Sequence, residues 1–283
     1  MPSTVTLIKV YACEYEEIKL WKAKKVQPDF FISHSKETKY KIAVPFMQAL
    51  ISLGFDVWLD RRGILVGERI YSKIEDVIKV SNYCIAIIDS SYLERTWTIK
   101  ELQLFYEKEA TAILPIFVNL KKEVVYNKIP WLDGVAFEQM VEETFSLNNH
   151  MDIFCRIISR FYGTYTTSKL ENCFEGLLKY AFPCKDTLTA LVKSKDYYSQ
   201  DFRLAIVSLC NINSIVYGIF TAICNQNNKF IDTAFRFNNL LRTYCFDVEN
   251  IPNYNIYTGA YNSVLVSIRE LENTLQDRQL LSN

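Results

Sequence analysis

Trp97 and Glu101, in the run Trp97-Thr98-Ile99-Lys100-Glu101, place an indole and a carboxylate four positions apart. On a helix, residues i and i+4 share a face, so the ring and the acid would stand one turn from each other. That pairing suits a site that stacks a flat ring and steers a sugar hydroxyl. It also fits a buried tryptophan beside an ordinary helical glutamate, and spacing alone does not separate the two.

Two apolar runs flank the pair. Asn82-Tyr83-Cys84-Ile85-Ala86-Ile87-Ile88 comes before it, closed by Asp89-Ser90-Ser91, and Ala112-Ile113-Leu114-Pro115-Ile116-Phe117-Val118 comes after. Both read as strands buried on both faces, being nearly continuous rather than alternating. A helix opening near Trp97 would then start just past the carboxyl end of a parallel strand, where open α/β sheets bind their ligands. Phe30-Phe31-Ile32 predicts an earlier strand. A helix over 39–53 follows, with Ile42, Phe46, Leu50 and Leu53 on one face and Gly54 as its stop. Phe55–Leu59 predicts the second strand, a glycine-containing loop spans 60–68, and Ile70, Ile74, Val77 and Ile78 mark the next helix. A weaker strand is expected at Val135–Phe137. Strands separated by helical runs of this length imply βαβ units and a parallel sheet covered on both faces.

The pattern changes after about Phe145. Met151–Phe161 predicts a helix, expected to pack as the last helix of the sheet domain. From Ser168 onward helices dominate, at Leu170–Phe182, Thr187–Ser194, Phe202–Cys224, Ile231–Cys245 and Asn262–Leu275. Pro183, the polar stretch 225–229 and the Pro252 segment punctuate them. Tyr254, Tyr257 and Tyr261 are expected in a Tyr/Asn-rich loop, and the aromatics Phe230, Phe235, Phe237, Tyr244 and Phe246 as core. The expected division is an N-terminal helical extension at 1–26, an α/β domain at 27–163 and an all-α domain at 164–283.

With 283 residues, 49% hydrophobic and 23% charged, the chain has the composition of a folded globular protein. A formal net charge of zero gives no general attraction to nucleic acid or to anionic membrane. Its eight cysteines are dispersed, without a CxxC pair, and only His34 and His150 could complete a zinc site, so no metal is expected. Reduced thiols in a cytoplasmic protein are the natural expectation. Glu14, Glu16 and Glu17 break any early apolar stretch of the secretory kind. Leu204–Cys224 barely reaches the length of a membrane span and contains Asn211 and Asn213, so a buried helix is expected there.

Read in order, the first half resembles a TIR (Toll/interleukin-1 receptor) domain of prokaryotic type. The boxes are Asp29-Phe30-Phe31-Ile32-Ser33-His34-Ser35, then Gly54–Asp60 followed by Gly67-Glu68-Arg69-Ile70, then Ser90-Ser91-Tyr92 through Trp97 and Lys100-Glu101-Leu102, then Leu114-Pro115-Ile116. The resemblance implies a flavodoxin-like sheet and, because the WxxxE pattern is intact, cleavage of NAD+ at the nicotinamide–ribose bond with Glu101 as the catalytic residue. By position it also implies that Ser33, His34 and Ser35 line the crevice with Trp97, that Lys36 and Arg61 or Arg62 meet a phosphate, and that Asp60 orders its loop. Ser33 and Ser35 are equally turn formers after a strand, and arginines in such a loop are more often solvated charges.

No GxGxxG motif is present, so NAD+ is expected as a substrate and no cofactor is called for. TIR enzymes act as assemblies, which implies a homo-oligomer formed through the TIR and helical domains, and a role in antiphage defence signalling. The contrary expectation is a non-catalytic interaction module, a signalling adaptor or host-mimicking effector.

Overall fold

The computed structural model describes residues 27–59, 70–141, 144–163, 169–224 and 226–282. The chain divides into two compact units at the Phe145/Ser146 junction. The expected extension at 1–26 lies outside the described residues.

In the first unit, β1 (Phe30–His34), β2 (Val57–Leu59), β3 (Tyr83–Ile88), β4 (Ile113–Val118) and β5 (Glu138–Met140) form one sheet in the order β2-β1-β3-β4-β5. Every pairing is parallel. This is the flavodoxin-like order, whose strand sequence reverses direction between β1 and β3. The helices are α1 (Val44–Ser52, preceded by a π-helical turn at Lys39–Ala43), α2 (Ile70–Val80), the single turn α3 (Ser90–Leu93), α4 (Thr96–Glu109) and α5 (Lys122–Lys128). Gly54 adopts φ 95, the left-handed turn that ends the expected first helix and starts the approach to β2.

The strands are buried on both faces, which is why they read as unbroken apolar runs. On one face Phe31, Cys84, Ala86, Ile88, Ile113 and Phe117 pack with Ile74, Val77 and Ile78 of α2 and Leu102 and Phe105 of α4. Phe31 stacks on Trp58 at 4.9 Å, fixing β1 against β2. Asp29 accepts a bond from the Asp56 backbone amide at 2.7 Å, pinning the start of the same pair.

Two local expectations are displaced. The last strand is Glu138–Met140 rather than Val135–Phe137. Gly134 (φ 87) and a bond from the Val135 amide to the Leu132 carbonyl hold Val135 in a turn, and the chain straightens only afterwards. The expected helix Met151–Phe161 forms with those bounds, but in the second unit.

The regular structure of that unit is helical among its described residues, built from α6 (Met151–Phe161), α7 (Leu170–Leu177), α8 (Lys185–Ser194), α9 (Phe202–Ile223), α10 (Lys229–Phe246) and α11 (Tyr254–Ser282). The long α11 is its organising element and packs on α6, α7, α9 and α10. It begins earlier than the expected Asn262: Asn253 caps it by accepting from the amides of Asn255 and Ile256 at 3.0 and 3.2 Å. Tyr254, Tyr257 and Tyr261 therefore lie on a helix, not in a loop. Of the aromatics expected as core, Phe237 and Tyr244 are buried, while Phe230 and Phe246 are exposed. The helix α9 is long and apolar enough to cross a membrane by length and composition, and half of it is buried within the unit.

Candidate active site

The cleft of interest opens at the carboxyl end of β1, where the sheet changes direction. It has a volume of about 520 Å³ and is lined by side chains from β1, β2, α2, α4 and the loop after β1. Its wall carries the aromatics Trp58, Tyr71 and Trp97, the cations Lys36, Lys39 and Arg95, and the acid Glu101. Aromatic surface, positive charge and one carboxylate in a single crevice suit a ligand with flat rings joined through phosphates.

The helix α4 sets the acid. Its first turn is tied down by Thr98, whose hydroxyl donates to the carbonyls of Tyr92 at 2.7 Å and Arg95 at 2.9 Å. Trp97 and Glu101 therefore sit one turn apart on the wall of the cleft, as the spacing predicts. Glu101 is only 8% exposed. Burial of a carboxylate is costly unless it is hydrogen-bonded, and Ser33 at the end of β1 donates to Glu101 Oε2 across 2.7 Å. Ser33 itself is buried, and its oxygen lies 3.0 Å from the Tyr92 hydroxyl, which in turn donates to the Thr98 carbonyl at 3.0 Å.

Charge and burial act on the groups around the acid. Burial pushes the Tyr92 phenol well above its usual range, reinforced by the neighbouring Cys84 and Glu101. The Cys84 thiol is raised by burial and then by Glu101. Both therefore stay protonated near neutral pH and leave Glu101 as the acid of the cluster.

His34 and Lys36 line the cleft with Trp97 and Glu101. The His34 ring Nδ1 is 2.6 Å from the Ser35 carbonyl, an interaction that orients the imidazole. Ser35 has a different position. It is fully buried, its hydroxyl donates to Asp89 at 3.0 Å, and its oxygen accepts from the Thr38 amide at 3.2 Å. It shapes the loop after β1, a turn-forming position of the kind its residue type allows. Asp60 and Arg61, with Arg62, lie outside the described residues.

Several residues of the site carry no sequence signal that singles them out. Tyr71 faces Trp97 with ring centroids 4.2 Å apart. Lys39 and Arg95 add positive charge to the wall. Asp89 does carry a signal, though one not read above: Asp-Ser-Ser after a strand is a helix N-cap pattern, and Asp89 caps α3 by accepting from the Tyr92 amide at 2.8 Å. Among the described residues, no group of histidine, cysteine and acidic side chains is arranged to hold a metal ion.

The TIR domain family matches residues 30–145, the stretch that carries this sheet and this constellation. The chain is 36% identical over 109 residues to the 2' cyclic ADP-D-ribose synthase BtTIR of Bacteroides thetaiotaomicron, covering 38% of each protein. It is 32% identical over 117 residues to the 2' cyclic ADP-D-ribose synthase AbTIR of Acinetobacter baumannii, covering 40% of this chain and 44% of that protein. It is also 33% identical over 101 residues to the NAD(+) hydrolase TcpC of Escherichia coli, covering 34% and 33%. The matches thus span less than half the length of each of these relatives.

Proposed function

We propose that the TIR domain cleaves the bond between nicotinamide and ribose in NAD+, with Glu101 as the catalytic residue. The observation that carries this reading is the placement of Glu101: a nearly buried carboxylate on the wall of the cleft, oriented by Ser33 and one turn from Trp97. The names of the relatives, NAD(+) hydrolase and 2' cyclic ADP-D-ribose synthase, support the same chemistry.

Nicotinamide bound through its ring nitrogen is cationic and leaves as a neutral molecule, taking the bonding electron pair with it. No strong acid is needed to expel it. Positive charge instead builds on the ribose carbon, and a fixed anion beside that carbon stabilises it. Glu101 supplies that anion and accepts from the ribose hydroxyls. Trp97 stacks on the departing ring, while Lys36, Lys39 and Arg95 attract the diphosphate. His34 lines the same wall. Capture of the ribosyl cation by water gives ADP-ribose and a proton; capture by a nucleophile within the same molecule gives a form of cyclic ADP-ribose, with the nucleophile's proton released. NAD+ is consumed in either case, as substrate rather than cofactor.

The helical unit holds protomers together in a cytoplasmic assembly serving antiviral defence signalling. Concentrated full-length protein incubated with NAD+ tests the reading, with products resolved by chromatography and mass spectrometry and Glu101→Ala run in parallel. Nicotinamide release that disappears in the variant is expected, and the second product distinguishes hydrolysis from cyclisation. No release, even under crowding that forces assembly, would overturn the reading in favour of a non-catalytic interaction module.

A further inference from the structure

Tyr92 is a fully buried polar group beside the cleft that the chemistry above leaves unused. The residue is 0% exposed, and a phenylalanine would fill the same space, so its hydroxyl needs its own account. That hydroxyl joins the two elements that build the site. It lies 3.0 Å from Ser33 Oγ on β1, and it donates at 3.0 Å to the carbonyl of Thr98, in the first turn of α4 between Trp97 and Glu101.

Counting protons gives the network a direction. Ser33 has one hydroxyl proton, and it points to Glu101 Oε2 at 2.7 Å. The contact between Ser33 and Tyr92 can then be bonded only if Ser33 accepts, so the Tyr92 proton is shared between Ser33 Oγ and the Thr98 carbonyl. A chain running from Tyr92 to Ser33 to a carboxylate polarises each link toward the negative end. Fixed donors of this kind keep an anion in place without reorganisation when charge develops opposite it.

We propose that Tyr92 is a positioning residue for the reaction: its hydroxyl, acting through Ser33, holds the Glu101 carboxylate in its orientation on the wall of the cleft. This deepens the NAD+-cleaving reading and rests on it. Tyr92 does not line the cleft and takes no part in bond breaking; it acts on the acid alone.

The test uses the full-length chain and the variants Tyr92→Phe, Ser33→Ala and the pair combined, measured for nicotinamide release from NAD+. Tyr92→Phe is expected to lower kcat by roughly tenfold, about the effect of one lost hydrogen bond, with KM within about twofold of the parent. On the Ser33→Ala background the same change should cost nothing further, because the link is already cut. Wild-type kcat in Tyr92→Phe, or losses that simply add, would overturn the proposal.

A second measurement is independent of turnover: thermal unfolding of Tyr92→Phe, Glu101→Ala and the double variant without NAD+. Non-additive melting shifts are expected from groups in one network, and additive shifts would overturn the link. A parent chain that releases no nicotinamide instead overturns the catalytic reading, and the unfolding cycle still decides the link by itself.

Discussion

Tyr71 and Trp97 meet at the cleft with ring centroids 4.2 Å apart and planes inclined by 54°, the one from α2 and the other from α4. Lys100 reaches over the same indole at 5.4 Å and pairs with Glu75 at 3.3 Å, so α2 and α4 are joined by both a ring contact and an exposed ion pair. The ion pair contributes little on the surface. The ring contact decides which face of Trp97 a planar ligand can use: the ligand must displace Tyr71 or take the remaining indole surface.

The two aromatics should therefore differ in their effect on substrate binding. Trp97→Ala removes a stacking platform, and stacking of a base on an aromatic ring contributes about 1–3 kcal/mol. It should raise KM for NAD+ by about tenfold. Tyr71 is 62% exposed and its phenol ring is smaller and less confined than the indole, so Tyr71→Ala should raise KM by only about threefold. Steady-state kinetics on both variants checks the order; a larger effect at Tyr71 would place the ring on the other side of the pair.

Glu101→Gln should separate chemistry from folding. The amide is nearly isosteric and can donate to Ser33 Oγ, which reverses the chain so that Ser33 donates to Tyr92 and Tyr92 to the Thr98 carbonyl. The three contacts of this chain remain bonded, so the melting midpoint should stay within about 3 °C of the parent. The anion is gone, however, and nicotinamide release should fall by at least about 100-fold. A variant that unfolds would show that the acid is held chiefly for structure. Retained turnover would remove Glu101 from the mechanism.

How much of this was legible follows from what each residue's neighbours are. Strands β1, β3 and β4 were readable because burial on both faces leaves no room for polar alternation, and the helix carrying Trp97 and Glu101 because its ends abut those strands. The edge strand β5 was not, because Glu138 and Gln139 give it no apolar run, while Val135 and Phe137, which pack on the core from the preceding turn, do. The start of α11 was hidden by its Tyr/Asn composition and by Pro252, although Asn253 is a capping residue type. Within the site, the partners Ser33, Tyr92 and Glu101 are 59 and 68 positions apart in the chain, so their hydrogen bonds exist only through the sheet's topology.

The second unit should be alkali-sensitive in a defined range. Burial, followed by its tyrosine neighbours and Glu171, pushes the Tyr257 phenol up to about 12 from 10.0. Tyr197 and Tyr198 are raised in the same direction, burial leading in each. A group with a raised folded-state pKa contributes stability that is complete below the unfolded value and lost as pH climbs toward the folded one. Stability should therefore be flat up to about pH 9.5 and decline between about pH 10 and 12. Tyr257→Phe should shallow that decline without altering the plateau slope. Urea midpoints taken from pH 8 to 12 provide the comparison, and an unchanged slope in the variant would show that this phenol does not govern the transition.

Two glycines of the helical unit should respond oppositely to the same substitution. Gly259 lies where α11 meets its neighbours: an added Cβ would stand 3.0 Å from Cys155 Cβ of α6 and 3.3 Å from Phe237 Cζ of α10. Cys155 and Phe237 are both fully buried, so neither has room to yield. Gly259→Ala should cost about 1–3 kcal/mol by overpacking. Gly218 sits on the exposed side of α9, and an added Cβ there meets nothing within 4 Å. Alanine loses less backbone entropy than glycine in a helix, so Gly218→Ala should stabilise the unit by about 0.5–1 kcal/mol. Denaturation midpoints of the two variants should thus move to opposite sides of the parent. Stabilisation by both would mean that helix propensity outweighs the close approach of α11 to α6, and that the glycine at 259 is not required by packing; destabilisation by both would mean that Gly218 is held by something other than open space.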